Sequence, residues 1–386
     1  MLRLNSNATK TLASCALLPA VVLWCGGAAA QVAFAPYKLT TFAKGTSAYS
    51  QPDSIERWHN SVLVGYQNHV AKDGTDGKSS TIVQYSLDGS VQRTFSVVGH
   101  NDGLRVVGED KDKEDRDKED KDKEDRNKEH KNKLWALQNE DANPSLAVID
   151  LDDGSIATYT LAAPHGGGYD DLRVLHGEVF MTASNPNLDA HGVNVFPALV
   201  RAKLSGGSVD LVPVLYGNAS ATNIATGQPE TLNLTDPDSL SIDPAGNLVV
   251  NSQADAVLVF VHRPLKDDQA VGVLHITLEG SQSVDDTAFA PRGHSFALFS
   301  DIGLDTVYRL DRPVFGFEGG TPYSTSDSFG IVSVLNLDYG FLTPIASGFN
   351  STRGMIFIKK EESERERDDD RREHSDDHHD HSDDHR

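Results

Sequence analysis

Apolar and polar residues alternate through Asp238-Ser239-Leu240-Ser241-Ile242, and a period of two marks a β-strand. Pro244-Ala245-Gly246-Asn247 supplies turn chemistry, and Leu248-Val249-Val250 is a short apolar run suited to a strand buried on both faces. Ala256 to Val261 predicts a third strand and Val271 to Leu278 a fourth. The chain repeats this unit. Asp53-Ser54-Ile55 leads into SVLVGYQN, TIVQYSL and VQRTFSV. Asp102-Gly103-Leu104 leads into LWALQNED, SLAVIDL and IATYTL. Asp170-Asp171-Leu172 leads into GEVFMTAS, ALVRAKL and VDLVPVL. Asp286-Thr287-Ala288-Phe289 leads into SFALFSD and TVYRL, and a degenerate opening, Arg353-Gly354-Met355, puts Arg353 in the aspartate's place.

Four antiparallel strands cannot bury both faces alone, so repeated units must stack around an axis. The expected fold is all-β, a β-propeller of about six four-stranded blades spanning 31–360. The N-terminal VAFAPYKL is expected to pair near the C-terminal end and close the ring. IVSVLNL and FLTPIA, between Pro313 and Phe349, have no clear place in the repeat. The long polar stretch Gly217 to Thr235 is expected to cover one mouth as a lid.

The blade openings resemble those of the SMP-30/gluconolactonase and NHL-repeat propellers, from Gln51 to Ile358. The resemblance implies the fold; such propellers host hydrolases, lyases and plain binding proteins. It also implies a divalent metal held by a Glu, an Asn and an Asp at inner-strand openings. Asp102 and Asp238 match the aspartate, Asn101 loosely matches the asparagine, and Gln51-Pro52-Asp53 stands where the family has its glutamate. That departure counts against lactone hydrolysis.

Residues 1–30 read as a secretory signal peptide. Arg3 and Lys10 precede an apolar core from Leu12 to Trp24, and Ala28-Ala29-Ala30 offers a cleavage site. A secreted or periplasmic protein starting at Gln31 is expected, with no transmembrane segment in the mature chain. Both cysteines, Cys15 and Cys25, would leave with the signal. The formal charge of −22 disfavours nucleic acid as a partner and favours cations. The chain is expected to be a monomer whose partner is an unidentified small molecule or protein.

Two segments carry charge without apolar periodicity. A charged insertion over 109–133 repeats KDKEDRDKED as KDKEDRNKEH inside the first hairpin of the second unit, and reads as a loop extension without packed structure. The tail 361–386 is rich in aspartate and carries His374, His378, His379, His381 and His385, a set suited to loose binding of Zn, Ni, Cu or Ca.

Candidate chemistry gathers where the units open. With each opening at one mouth of the channel, Asp53, Asp102, Asp170, Asp238 and Asp286 converge with Arg353 as the sixth member. Oxygen donors of this kind suit Ca²⁺ or another divalent metal. The bland reading is that each aspartate hydrogen-bonds its own turn backbone, a role every blade needs. His165, before Gly166-Gly167-Gly168, is a further binding candidate, and His69, His100 and His294 lie at unit edges. No serine sits in a nucleophile elbow and no phosphate loop is present. Three functions remain open: a non-enzymatic binding propeller, a metal-dependent lactonase-type hydrolase using Asp102 and Asp238, and a metal buffer acting through the tail.

Overall fold

The computed structural model describes residues 30–108, 133–276, 284–314 and 316–360. The tail histidines, the charged repeat and most of the expected signal lie outside the described residues. The chain begins with β1 (Val32–Ala33) and β2 (Lys38–Lys44). The first blade is β3 (Pro52–Trp58), β4 (Ser61–Tyr66), β5 (Ser79–Ser86) and β6 (Val91–Val98). The second is β7 (Asn101–Val107), β8 (Lys133–Gln138), β9 (Ser145–Asp150) and β10 (Ile156–Thr160). Val107 pairs with Lys133, so the charged repeat falls within the β7–β8 hairpin. The third blade is β11 (Gly168–Leu175), β12 (Glu178–Ser184), β13 (Pro197–Ser205) and β14 (Ser208–Tyr216).

The stretch expected to be a lid forms β15 (Ser220–Asn223) and β16 (Pro229–Thr231). They extend the outer edge of the fourth blade, whose own strands are β17 (Pro237–Ile242), β18 (Leu248–Ser252), β19 (Val257–His262) and β20 (Ala270–His275). β15 runs parallel to β20, with Thr222 opposite Gly272. Ala221, Leu232 and Leu234 are buried in the core between the third and fourth blades, and that burial fixes the stretch at the rim instead of over a mouth.

The last two blades are interleaved. After β21 (Thr287–Phe289) the chain makes β22 (Ser295–Asp301) and β23 (Thr306–Asp311), then β24 (Pro322–Ser326), β25 (Ile331–Leu335), β26 (Leu342–Ser347) and β27 (Thr352–Lys359). The fifth blade is β21-β24-β25-β26-β1 and the sixth is β27-β22-β23-β2. SFALFSD and TVYRL therefore belong to the sixth blade, not to the unit opened by Asp286. IVSVLNL and FLTPIA complete the fifth. Alternation identifies a strand but not its partners, which is why linear reading joined β21 to β22.

Ring closure is as expected in kind and shared between two blades. VAFAPYKL splits around a cis Ala35–Pro36 bond, β1 pairing with β26 and β2 with β23. The inner strands β3, β7, β11, β17, β21 and β27 are neighbours in a closed circle, which makes a six-bladed propeller. Among the described residues there is no α-helix, and no helix is long and apolar enough to cross a membrane.

The core is six apolar seams, one between each pair of blades. In β4, Val62 and Val64 face the sixth blade while Leu63 faces the second. Period-two alternation sends successive apolar residues to opposite seams, so a second strand buried on both faces reads as an unbroken apolar run.

Candidate metal centre at the channel mouth

Five of the six inner strands begin with two residues that drop out of the pairing register, and Asp285 and Asp286 hold the same two places immediately before β21. The shift falls between Pro52 and Ile55, Asn101 and Leu104, Tyr169 and Leu172, and Pro237 and Leu240, and opposite Thr352 to Met355 in the sixth blade. A bulge of this kind re-aims side chains at the end of a sheet. The first bulge positions are Asp53, Asp102, Asp170, Asp238, Asp285 and Arg353. The second are Ser54, Gly103, Asp171, Ser239, Asp286 and Gly354. The equivalent of the other ring aspartates in the fifth blade is Asp285, with Asp286 one residue on. The sequence reading took Asp286 because it precedes the apolar alternation directly, and the extra bulge residue is invisible to that pattern.

The second positions serve the ring. Asp171 Oδ2 accepts from the backbone N–H of Leu240 at 3.0 Å, and Asp286 Oδ2 accepts from that of Met355 at 2.7 Å, each tying its blade to the next. The other oxygen of each accepts from the following residue, Leu172 or Thr287. Ser54 Oγ donates to the carbonyl of Asp102. At Gly103 and Gly354 an added Cβ would lie 2.5 Å from Asp170 O and 2.6 Å from Asp53 O, so neither position has room for a side chain.

The first positions behave differently. Among the described residues, none of the five ring aspartates accepts a backbone N–H. Asp102 Oδ1 meets Gln67 Nε2 and His100 Nε2, both at 3.2 Å, while its buried Oδ2 has no partner. Asp170 stands against Asp238 and Glu140, carboxyl beside carboxyl, an arrangement that a shared proton or a cation relieves. Asp285 Oδ1 meets Arg353 Nη1 at 3.3 Å, and Arg353 also faces Asp53 at 3.9 Å and Asp327 at 3.8 Å.

The cavity enclosed by these groups is about 30 Å³, space for an ion or a water or two and none for an organic substrate. Seven aspartates and Glu140 line it, with Arg353 the sole cation of the lining, so negative charge is in large excess. Burial, joined by the Glu140 charge, pushes Asp102 up to about 7. Burial lifts Asp171 to about 8 against the pull of Arg105. Burial also holds Asp53, Asp170, Asp238 and Asp285 above the usual carboxylate range, Asp170 further lifted by Asp238. Burial alone would lower His100, yet Asp102 and Glu140 raise it to about 9. Glu140 resists its own burial because Lys72 pairs with it, and its pKa falls. Oxygens of Glu140, Asp170 and Asp238 lie within 4.8 Å of one another, and so do donor atoms of His100, Asp102 and Glu140.

Two expected binding residues lie elsewhere. Asn101 Nδ2 donates to the Leu137 carbonyl at 2.9 Å, and its Oδ1 occupies the space a Cβ on Gly65 would need, inside the packing of the first two blades. His165 is buried with Nε2 2.7 Å from Gly168 O and its ring edge-on to Tyr169. Sequence reading missed Glu140 and noted His100 only as a unit edge. A partial signal for Glu140 existed: polar residues within two positions of the end of a second strand reach the mouth, as Gln67, Glu140 and Asp327 do.

No family model matches the chain, and no curated protein matches it. Solved structures do. Virginiamycin B lyase from Staphylococcus aureus is 10% identical, covers 80% of this chain and 88% of its own, and superposes with a TM-score of 0.46. The periplasmic gluconolactonase of Pseudomonas aeruginosa is 10% identical, with 80% and 88% coverage and a TM-score of 0.44. A putative 6-phosphogluconolactonase from Bacteroides uniformis is 9% identical, with 82% and 90% coverage and a TM-score of 0.43. These are what the chain is similar to, and the propeller itself is read from this chain's own strand pairing.

Proposed function

We propose that this protein is an exported, non-catalytic propeller that binds a ligand or partner protein at a channel mouth organised by a divalent cation, Ca²⁺ by its donor set. One observation carries the reading. Asp171 and Asp286 spend their oxygens on backbone N–H groups, whereas the five ring aspartates do not, so the turn-capping role covers the second bulge position and leaves the first unexplained. Glu140, Asp170 and Asp238 offer oxygen donors alone, the set that suits a hard cation. A cation there would relieve the repulsion among carboxylates that burial and proximity create. Export is supported by the signal-like residues 1–30.

Calorimetric titration of Ca²⁺ into the chain from Gln31 to Lys360 tests this. One site per chain is expected, lost in Asp170→Asn and in Asp238→Asn. Absence of any calcium heat from the parent chain would sink the reading and return the ring to a purely structural role.

A further inference from the structure

The same mouth holds a nitrogen donor that the oxygen-only site does not use. His100 stands immediately before β7, and its Nδ1 is 2.7 Å from the carbonyl oxygen of Val70. A carbonyl only accepts, so Nδ1 keeps its proton; the proton that Asp102 and Glu140 hold on Nε2 is the one a metal displaces, freeing that nitrogen's lone pair. Nε2 lies 3.2 Å from Asp102 Oδ1 and 3.9 Å from Glu140 Oε1. His100 is 4% exposed and Asp102 3% exposed. Both His100 Nε2 and Asp102 Oδ2 are buried without a hydrogen-bond partner. Nε2 faces Asp102 Oδ1 outside hydrogen-bond geometry and Oδ2 has no partner, so donor atoms of His100, Asp102 and Glu140, all within 4.8 Å of one another, have ligating capacity to spare.

The scaffold holds these groups firmly. The backbone N–H of Asn139 donates to the carbonyl of His100 at 2.7 Å, and the backbone N–H of His100 donates to Asn139 Oδ1 at 2.9 Å. This reciprocal pair locks the start of β7 to the loop that carries Glu140. Ser184 Oγ of the third blade donates to the Glu140 carbonyl at 3.0 Å and secures the loop from its other side. An imidazole whose second nitrogen donates to a backbone carbonyl is the arrangement that orients a metal-ligating histidine.

From this geometry we infer that His100 Nε2, Asp102 and Glu140 form a transition-metal site of the Zn²⁺ class, beside the oxygen-only site and sharing Glu140 with it. Around tetrahedral Zn²⁺, with bonds of about 2.0–2.1 Å, ligand atoms lie about 3.3 Å apart. The spacings from Nε2 to the two carboxylates bracket that value. One imidazole and two carboxylates select a borderline metal over Ca²⁺. The Lys72 ammonium now paired with Glu140 is half-exposed, so its stem can swing outward when a metal arrives. The inference uses the same mouth as the proposed calcium site but rests on His100, which that site does not need.

The test uses the chain from Gln31 to Arg386, its His100→Asn, Asp102→Asn and Asp170→Asn variants, and Zn²⁺, Co²⁺ and Ca²⁺ as separate probes. The tail is common to all four chains, so its own metal uptake cancels in the comparison. The expected result is one equivalent fewer of bound Zn²⁺ in His100→Asn, with its share of the visible Co²⁺ d–d band lost and Ca²⁺ uptake unchanged. Asp170→Asn should keep that zinc equivalent and lose calcium. Zinc stoichiometry and cobalt spectrum unchanged in His100→Asn would overturn the inference. Circular dichroism checks the fold, and if His100→Asn unfolds, Asp102→Asn reads out the same lost equivalent. Calcium uptake missing from the parent chain overturns the calcium reading alone, since the zinc comparison stands without it.

Discussion

Asp170 and Asp171 are neighbours in sequence with opposite relations to the backbone, and the pair Asp285 and Asp286 repeats the contrast. Substituting Asp286 by Ala removes acceptors from two backbone N–H groups and should destabilise the chain by about 1–3 kcal/mol in urea unfolding. Asp170→Asn removes a carboxyl from a crowded buried cluster, so in EDTA it should stabilise the chain or leave it unchanged. Equal losses from both substitutions would mean the two positions are alike. The same carboxyls make a pH prediction. Asp102 and Asp171 titrate near 7 and 8 in the folded chain, against an ordinary value of 3.8. Between those values the folded chain holds protons that the unfolded chain has released, so stability present below about pH 4 drains away as pH rises through 7 and 8. His100, raised from 6.5 to about 9, acts in the same direction, losing its contribution as pH passes 9. The melting temperature in EDTA should therefore fall between pH 5 and pH 8.5. The fall should be smaller in Asp170→Asn, which separates the channel from the general acidity of the chain.

At the scale of elements, the two-residue step that opens each blade, a bulge in five of the six inner strands, sets which residues meet at the axis. Its second position must be small or must staple the next blade. Gly354→Ala would push a Cβ to 2.6 Å from Asp53 O, a contact the packed backbone cannot relax, and a loss of about 1–3 kcal/mol is expected by thermal or urea melting. The β7–β8 hairpin makes the opposite case. Val107 and Lys133 already pair, so residues 108–132 can be replaced by an Asn-Gly turn without disturbing the blade. The melting temperature should stay level or rise slightly, because closing a shorter loop costs less entropy. A drop of many degrees would show that the charged repeat contributes to folding. The bulge and the staples were not legible in sequence, since pairing register depends on the neighbouring strand and the staples reach into the next blade. The alternation that marks the strands was legible, because burial between two blades imposes it locally.

For the whole molecule, closure is the decisive feature. β1 and β2 contribute the outer strands of the two interleaved blades, so deleting residues 31–44 should leave both blades with bare edges. Loss of a cooperative melt, or aggregation on size-exclusion chromatography, is the expected outcome; a sharp unchanged melt would show that the ring closes without them. By itself, the sequence determined that this chain is all-β, that its strands come in repeated fours, that the repeats make a ring of about six, and that acidic residues recur where the units open. Those properties follow from local periodicity and turn chemistry. The tertiary structure alone decided which strands pair in the last two blades, that Asp285 and not Asp286 completes the ring, and that Glu140 and His100 join it from a loop and a strand edge. Each of these depends on residues far apart in the chain coming to one axis, and nothing in the local alternation of apolar and polar positions encodes that meeting.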